Sequence, residues 1–339
     1  MYRLPAEWEP QEAIWLTWPQ NKDTWQNLLP QVVQTYESIA QAILQYQDLH
    51  ILVHSLELQR EVEQKLQFYS QRSPHSLTIH IQPTNDCWIR DYGSVTVQNV
   101  SQNQSQMVSW GFNSWGGKYS PWDADNAIPY YMGDIHNHFV HNMENFVLEG
   151  GSIDSNGNGL LLTTTQCLLH PNRNPKYTQE EIESILKKNL GMEHLLWLHR
   201  GIAGDDTDGH VDDLARFVSP HKILCAVEEN TWDPNYKILQ ENWEQLQMYK
   251  ELYALEIIPL PMPSPIQLNG LRTPASYANF LIINNAVLLP VFQDPKDAQA
   301  IQTLQDCFPN RTIHPIDCRH LSFGQGGIHC ISMQVPRLI

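Results

Sequence analysis

The chain has 339 residues, 42% hydrophobic and 17% charged, a globular composition and not a disordered one. With 21 basic and 37 acidic residues its net charge is −16, and no Lys/Arg cluster offers the basic patch a nucleic-acid binder needs. No run approaches the roughly 18 apolar residues of a membrane span, and the opening Met1-Tyr2-Arg3-Leu4-Pro5 does not read as a signal peptide. The six cysteines, at 87, 167, 225, 307, 318 and 330, contain no C-x-x-C pair and no zinc-cluster spacing. The expected location is therefore cytoplasmic, with reduced thiols. An acidic surface attracts cations, although it serves solubility equally well.

In chain order, Val32, Val33, Tyr36, Ile39, Ala40, Ile43 and Leu44 recur at helical spacing and predict a helix over 29–45. A strand is expected at 49–53. Residues 98–106, rich in Gln, Asn and Ser, read as an exposed hairpin loop. A strand at 146–153 leads through Asp154-Ser155-Asn156-Gly157-Asn158-Gly159 to a second at 160–169. Thr178 with Glu181 forms a capping-box pattern, and Gly191 closes the helix it opens. The next strand is 194–199. The same order recurs with strands 211–218 and 222–227, a helix at 236–252 and a strand at 256–260. It recurs again with strands 277–283 and 286–292 around Asn284-Asn285, a helix at 296–308 and a strand at 311–316. The last strand is 328–335. These are about five copies of one small α/β unit, which must pack together to bury its apolar faces. No linker divides them, so residues 1–339 are expected to form one domain. Periodicity leaves open whether the units form a line or a ring.

Four segments crowd polar residues at the ends of apolar strands, where a rigid scaffold can present reactive groups. Asn85-Asp86-Cys87-Trp88-Ile89-Arg90-Asp91 carries two carboxylates, an Arg and a Trp, and alone suits a structural Arg–Asp turn equally well. Leu148-Glu149-Gly150-Gly151 sets an acid beside glycines that permit close backbone approach. Gly204-Asp205-Asp206-Thr207-Asp208-Gly209-His210-Val211-Asp212 is dense in acid, but it fails as an EF-hand: Val211 falls where the sixth-position Gly must be. On a strand His210 and Asp212 would share a face. Gly324-Gln325-Gly326-Gly327-Ile328-His329-Cys330 leads glycines into a strand on which His329 and Cys330 would face opposite ways. Together the residue types fit chemistry on a guanidinium ion. Its N–H groups call for paired carboxylates. Its carbon suits a thiolate attacker, and a His can move the protons. No cluster of His or thiolate ligands supports metal hydrolysis.

These segments, in order, resemble the agmatine deiminase family, the bacterial peptidylarginine-deiminase-like proteins. The likeness extends to Leu4-Pro5-Ala6-Glu7-Trp8-Glu9-Pro10, Cys167-Leu168-Leu169 and Asn172-Arg173-Asn174-Pro175, and covers essentially the whole chain. The resemblance implies an α/β fold of the pentein type, a five-bladed α/β propeller of ββαβ repeats. It implies Cys330 as nucleophile through an amidino-thioether, and His210 as general acid and then base. Asp91 and Asp212 would grip the guanidinium, Glu149 would orient His210 or the substrate, and Asp86, Trp88 and Asp206 would line the pocket. No metal and no cofactor is implied. The substrate would be agmatine, a small cation, with no nucleic acid or membrane as partner, and a homo-oligomer is left open. Deimination of another guanidino compound or of peptidylarginine, and guanidinium or polyamine binding without turnover, are the alternatives. Many relatives carry Gly-Gly-Gly-Asn where this chain has Gly324-Gln325-Gly326-Gly327. The segment 110–122, with four tryptophans or glycines at 115–117 and 122, is either a lid or packing.

Overall fold

The computed structural model describes residues 2–268 and 270–338. The repeated grammar of the sequence appears as five sheets of one pattern. In each, two antiparallel strands are followed by a helix and a strand parallel to the second. The units are Val95–Asn99, Gln104–Gly111, helix Ile128–His136 and Phe139–Val147; Asp154–Ser155, Leu160–Thr164, helix Gln179–Leu190 and His194–Leu198; Ala215–Ser219, Lys222–Val227, helix Pro234–Tyr253 and Glu256–Pro261; and Leu281–Ile283, Ala286–Val291, helix Asp297–Cys307 and Thr312–Asp317. In the remaining unit the final strand, Ser332–Pro336, pairs antiparallel with Gln11–Thr17, and Asp48–Val53 and Leu77–Ile81 extend the sheet in parallel. The first and last strands of the chain thus lie side by side.

Helix Leu29–Ile43 buries Val32, Tyr36, Ile39, Ala40 and Ile43, the stripe its periodicity defines. The capping box at Thr178 forms as read, and Gly191 takes φ 68° to close the helix. Each unit buries its stripe against its own sheet and its neighbour. Leu186 and Leu190, for example, pack with Leu161, Leu195 and Phe146, each side chain contributing about 1.5–3 kcal/mol by burial.

The departures from expectation lie where strands meet the centre of the molecule. The segment expected as one strand at 146–153 is the end of a strand at Val147, a 3-10 turn at Gly150–Ser152 and a two-residue strand. Strand 160–169 stops at Thr164, whose hydroxyl caps a helical turn at Thr165–Leu168. Strand 211–218 begins as a 3-10 turn, Val211–Asp213. Strand 277–283 shrinks to Leu281–Ile283, and residues 328–331 form a turn ahead of the last strand. In each case buried residues continue past the last ladder pair, in turns at the strand ends.

Candidate active site

Those irregular strand ends carry Glu149, Asp212 and Cys330, with His210 at the edge of one. Asp91 sits on the helical turn Ile89–Tyr92 and is 4% exposed. Glu149 precedes the Gly150–Ser152 turn, His210 precedes the Val211–Asp213 turn and Cys330 lies in the turn before Ser332–Pro336. Glycine makes the convergence possible. A Cβ on Gly151 would lie 2.6 Å from His210 Nδ1, 2.9 Å from Asp91 Oδ1 and 3.1 Å from Asp212 Oδ2. Three ionisable groups therefore close on one glycine. His210 and Asp212 do share a site, by way of a 3-10 turn and not by strand alternation.

Cys330 Sγ lies 3.7 Å from Asp212 Oδ2 and 3.1 Å from Asn279 Nδ2. Asn279 also accepts from the backbone N–H of His329 at 2.9 Å, and its Nδ2 donates to Asp213 at 3.0 Å. It pins the backbone at His329 and the sulfur of Cys330, and a Cβ on Gly327 would collide with its amide oxygen. Gly326 is required by Trp88, whose ring a Cβ would meet at 2.5 Å. His329 turns away from Cys330, as expected, and bridges Asp212 (Nδ1 to Oδ2, 2.7 Å) and Glu7 (Nε2 to Oε2, 2.8 Å).

Behind the site stands a buried charge network. Arg216 donates to Glu7 at 2.7 Å and to Asp154 at 2.9 Å, and Glu7 accepts from Ile282 N–H at 2.6 Å. Burial opposes its charge, but Arg216 and His329 together hold the Glu7 carboxyl well below the usual range. Removing one member leaves buried charge unpaired. Glu7→Ala is therefore expected to cost about 3–5 kcal/mol, read as a lower urea midpoint at unchanged slope.

The residues around Gly151 are less settled. Both ring nitrogens of His210, Oε2 of Glu149 and Oδ1 of Asp212 have no hydrogen-bond partner, although all are buried. Such groups are uncommon and mark places where a ligand completes the set. Asp91 accepts from Trp115 Nε1 at 2.9 Å and Gly151 N–H at 3.0 Å. Burial nevertheless raises its pKa to about 6, against the pull of His210 3.6 Å away. Burial works against a charged His210, but Asp91, Cys167 and Glu149 raise its pKa well above the ordinary value. Asp212 moves the other way: despite burial, the hydrogen bond and charge of His329 keep it low. The Cys330 thiol is pushed far up by burial and then by Asp212, Asp213 and Asp91. Glu149 is held by Arg173 (Nε to Oε1, 2.6 Å), which also pairs with Asp208 at 2.8 Å.

A cavity of about 510 Å³ opens onto Cys330 and Asp91. Asp86, Trp88, Trp115, Tyr119, Asp206 and Phe323 line its sides, so it brings together all three residues expected in the wall. His210, Asp212 and Glu149 lie behind its floor. Asp23, Asp86, Asp91 and Asp206 face it against one lining cation among the described residues, Lys118, itself paired with Asp208 at 2.9 Å. Arg90 and Arg216 stay outside it: Arg90 donates to His329 O and Gln334, and Arg216 belongs to the Glu7 network. Trp115 is 7% exposed and bonded to Asp91, so this part of segment 110–122 is wall.

Glu7, Asn279, Asp213 and Arg173 were not among the expected site residues. Glu7 and Arg173 stood inside segments that carried the family resemblance. Asn279 had no local signal, because its partners are about 50 residues away in sequence.

The profile of the Porphyromonas-type peptidyl-arginine deiminases matches residues 3–336. The agmatine deiminase of Ectopseudomonas mendocina is 33% identical over 99% of this chain and 95% of its own length. Among solved structures, the agmatine deiminase of Enterococcus faecalis superposes with TM-score 0.90 at 32% identity, covering 100% of this chain and 96% of that one. A cysteine-to-serine variant of the C. jejuni agmatine deiminase with substrate bound gives TM-score 0.90 at 29% identity, covering 100% and 97%. An amidinotransferase of Microseira wollei, 11% identical at TM-score 0.54, covers 98% of this chain and 96% of its own and shares the fold. The chain belongs to the Porphyromonas-type peptidyl-arginine deiminase family, in company with the agmatine deiminases.

Proposed function

We propose that this protein hydrolyses agmatine to N-carbamoylputrescine and ammonia, with Cys330 as nucleophile. The observation that carries the reading is the floor of the cavity. Cys330 and Asp91 line it, Asp212 stands 3.7 Å behind the sulfur, Asp91, Asp212 and His210 meet around Gly151, and buried acceptor oxygens of Glu149 and Asp212 await donors. A guanidinium is the complementary ion, planar and all donor. Full-length agmatine deiminase relatives support the substrate.

In this mechanism Asp91 and Asp212 pair with the guanidinium, and Glu149 holds it or His210. The carboxylates that raise the Cys330 thiol are neutralised when the cation enters, so the thiol releases its proton to solvent and thiolate forms with substrate in place. Sulfur attacks the guanidinium carbon. His210, cationic in the free site, gives a proton to the departing ammonia. The amidino-thioether on Cys330 then takes up water, from which His210, now neutral, removes a proton. The C–S bond breaks, the remaining hydroxyl proton of the adduct passes to sulfur, and N-carbamoylputrescine leaves with the thiol restored. Asp86 and Asp206, on the cavity wall beside Trp88, supply negative charge for the distal ammonium. No metal or cofactor enters any step.

The five sheets and the pairing of the first and last strands support a pentein-type five-bladed α/β propeller, with residues 1–339 as a single catalytic domain. Six unpaired cysteines suit a cytoplasmic setting, and no helix among the described residues is long and apolar enough to cross a membrane.

Ammonia release from agmatine, arginine and a peptidylarginine tests the substrate. Agmatine turnover alone is expected, because the one lining cation among the described residues, Lys118, is already paired with Asp208 and is not free to receive a carboxylate. Preference for arginine or the peptide would overturn the substrate and keep the chemistry. Asn279 gives a further expectation. Asn279→Ala removes a hydrogen bond to the reacting sulfur, worth about 1.5–3 kcal/mol when the acceptor is charged. The kcat for agmatine should fall about 10- to 100-fold with KM little changed.

A further inference from the structure

Cys167 is a buried thiol for which the deimination mechanism has no use. It stands with Glu149 and His210, and one ligand atom from each lies within 4.8 Å of the others. We propose that Glu149, Cys167 and His210 bind a single zinc ion, and that zinc in this site blocks deimination. The second half rests on the proposed roles of Glu149 and His210; the first does not.

Sulfur, nitrogen and carboxylate oxygen are the ligands that zinc takes, at about 2.0–2.3 Å. Ligand atoms around one such ion stand roughly 3.5 Å apart, so side-chain shifts of about an ångström close the shell. Thiolate and imidazole select zinc over magnesium or calcium. All three side chains are buried, at 0%, 0% and 1% exposure. Oε2 of Glu149 and both nitrogens of His210 are unpartnered. Arg173 holds Glu149 by Oε1 and leaves Oε2 for the ion. Asp91 lies 3.6 Å from His210 Nδ1, within a small shift of the carboxylate–histidine hydrogen bond that orients a zinc ligand, and the proposal gives Nε2 to zinc. A guanidinium explains the free carboxylate oxygen, but it offers nothing that needs a thiol. Binding displaces the Cys167 thiol proton and the extra ring proton of His210 to solvent. One coordination position remains for water.

Equilibrium dialysis against zinc chloride tests the site without reference to turnover. Wild type and Cys330→Ala should each hold one zinc per chain, and magnesium chloride should give none. Cys167→Ala should bind at least about 100-fold more weakly; Cys167→Ser serves if the alanine variant does not fold. Unchanged affinity in the Cys167 variant, loss of zinc in Cys330→Ala, or no binding by wild type would overturn the site. Zinc should also slow ammonia release from agmatine competitively, with recovery on chelation. Stoichiometric binding without inhibition would overturn the blocking role.

Discussion

Cys330→Ser loses agmatine turnover by about 10⁴-fold or more, the scale at which removal of a nucleophile is felt, and keeps its fold. A hydroxyl in this setting is a far weaker nucleophile than a thiol. The carboxylates around it, Asp212 at 3.7 Å among them, oppose further negative charge on the attacking atom until the substrate cation arrives. The loop does not depend on the sulfur. Asn279 anchors His329 N–H, and the His329 bridge to Asp212 and Glu7 is made by other atoms. The melting temperature should therefore move by only a few degrees, while agmatine binding, measured by calorimetry, persists. Unimpaired turnover would remove Cys330 from the chemistry.

Asp91→Asn lowers kcat/KM for agmatine on the order of 10³-fold, by removing one charged partner of a buried ion pair. Its pH dependence identifies the group. The Asp91 pKa is about 6, so in wild type kcat/KM should fall as pH drops through 6 and the carboxylate protonates. The variant should lose that limb. Stability carries the opposite sign. The folded protein keeps the Asp91 proton between the ordinary carboxylate range and pH 6, and the unfolded chain does not. Wild-type stability therefore falls through this group as pH rises across that window, by up to about 3 kcal/mol. Urea unfolding at pH 4.5 and 7, wild type against variant, isolates the contribution, because the other carboxylates are common to both. Equal pH profiles in the two proteins would contradict the placement of Asp91.

What the sequence disclosed follows from the range of its signals. Helical periodicity and the capping box at Thr178 are local, and the helices at Leu29–Ile43 and Gln179–Leu190 followed from them. The eight expected site residues stood in short motifs, and the structure gathers five of them at the cavity and sets His210, Asp212 and Glu149 just behind its floor. Alternation was the weak argument. Residues 211–213 and 328–331 were read as strand because they run directly into strands, yet they turn so that their side chains can converge. The supporting shell was less accessible. Glu7 meets His329 across 322 positions and Arg216 across 209, and no periodicity reaches that far. Gly327 became intelligible only with Asn279 in view, because the two occupy adjoining space.

The central claim is a covalent bond between Cys330 and the amidino carbon of agmatine. Rapid acid quenching of the wild type during turnover, followed by peptide mass mapping, tests it most directly. The predicted result is an adduct equal to agmatine less ammonia on the peptide that carries Cys330, absent from Cys330→Ser and formed no more slowly than ammonia appears. Steady ammonia release with Cys330 unmodified at every quench time, and undiminished in Cys330→Ser, would contradict the account.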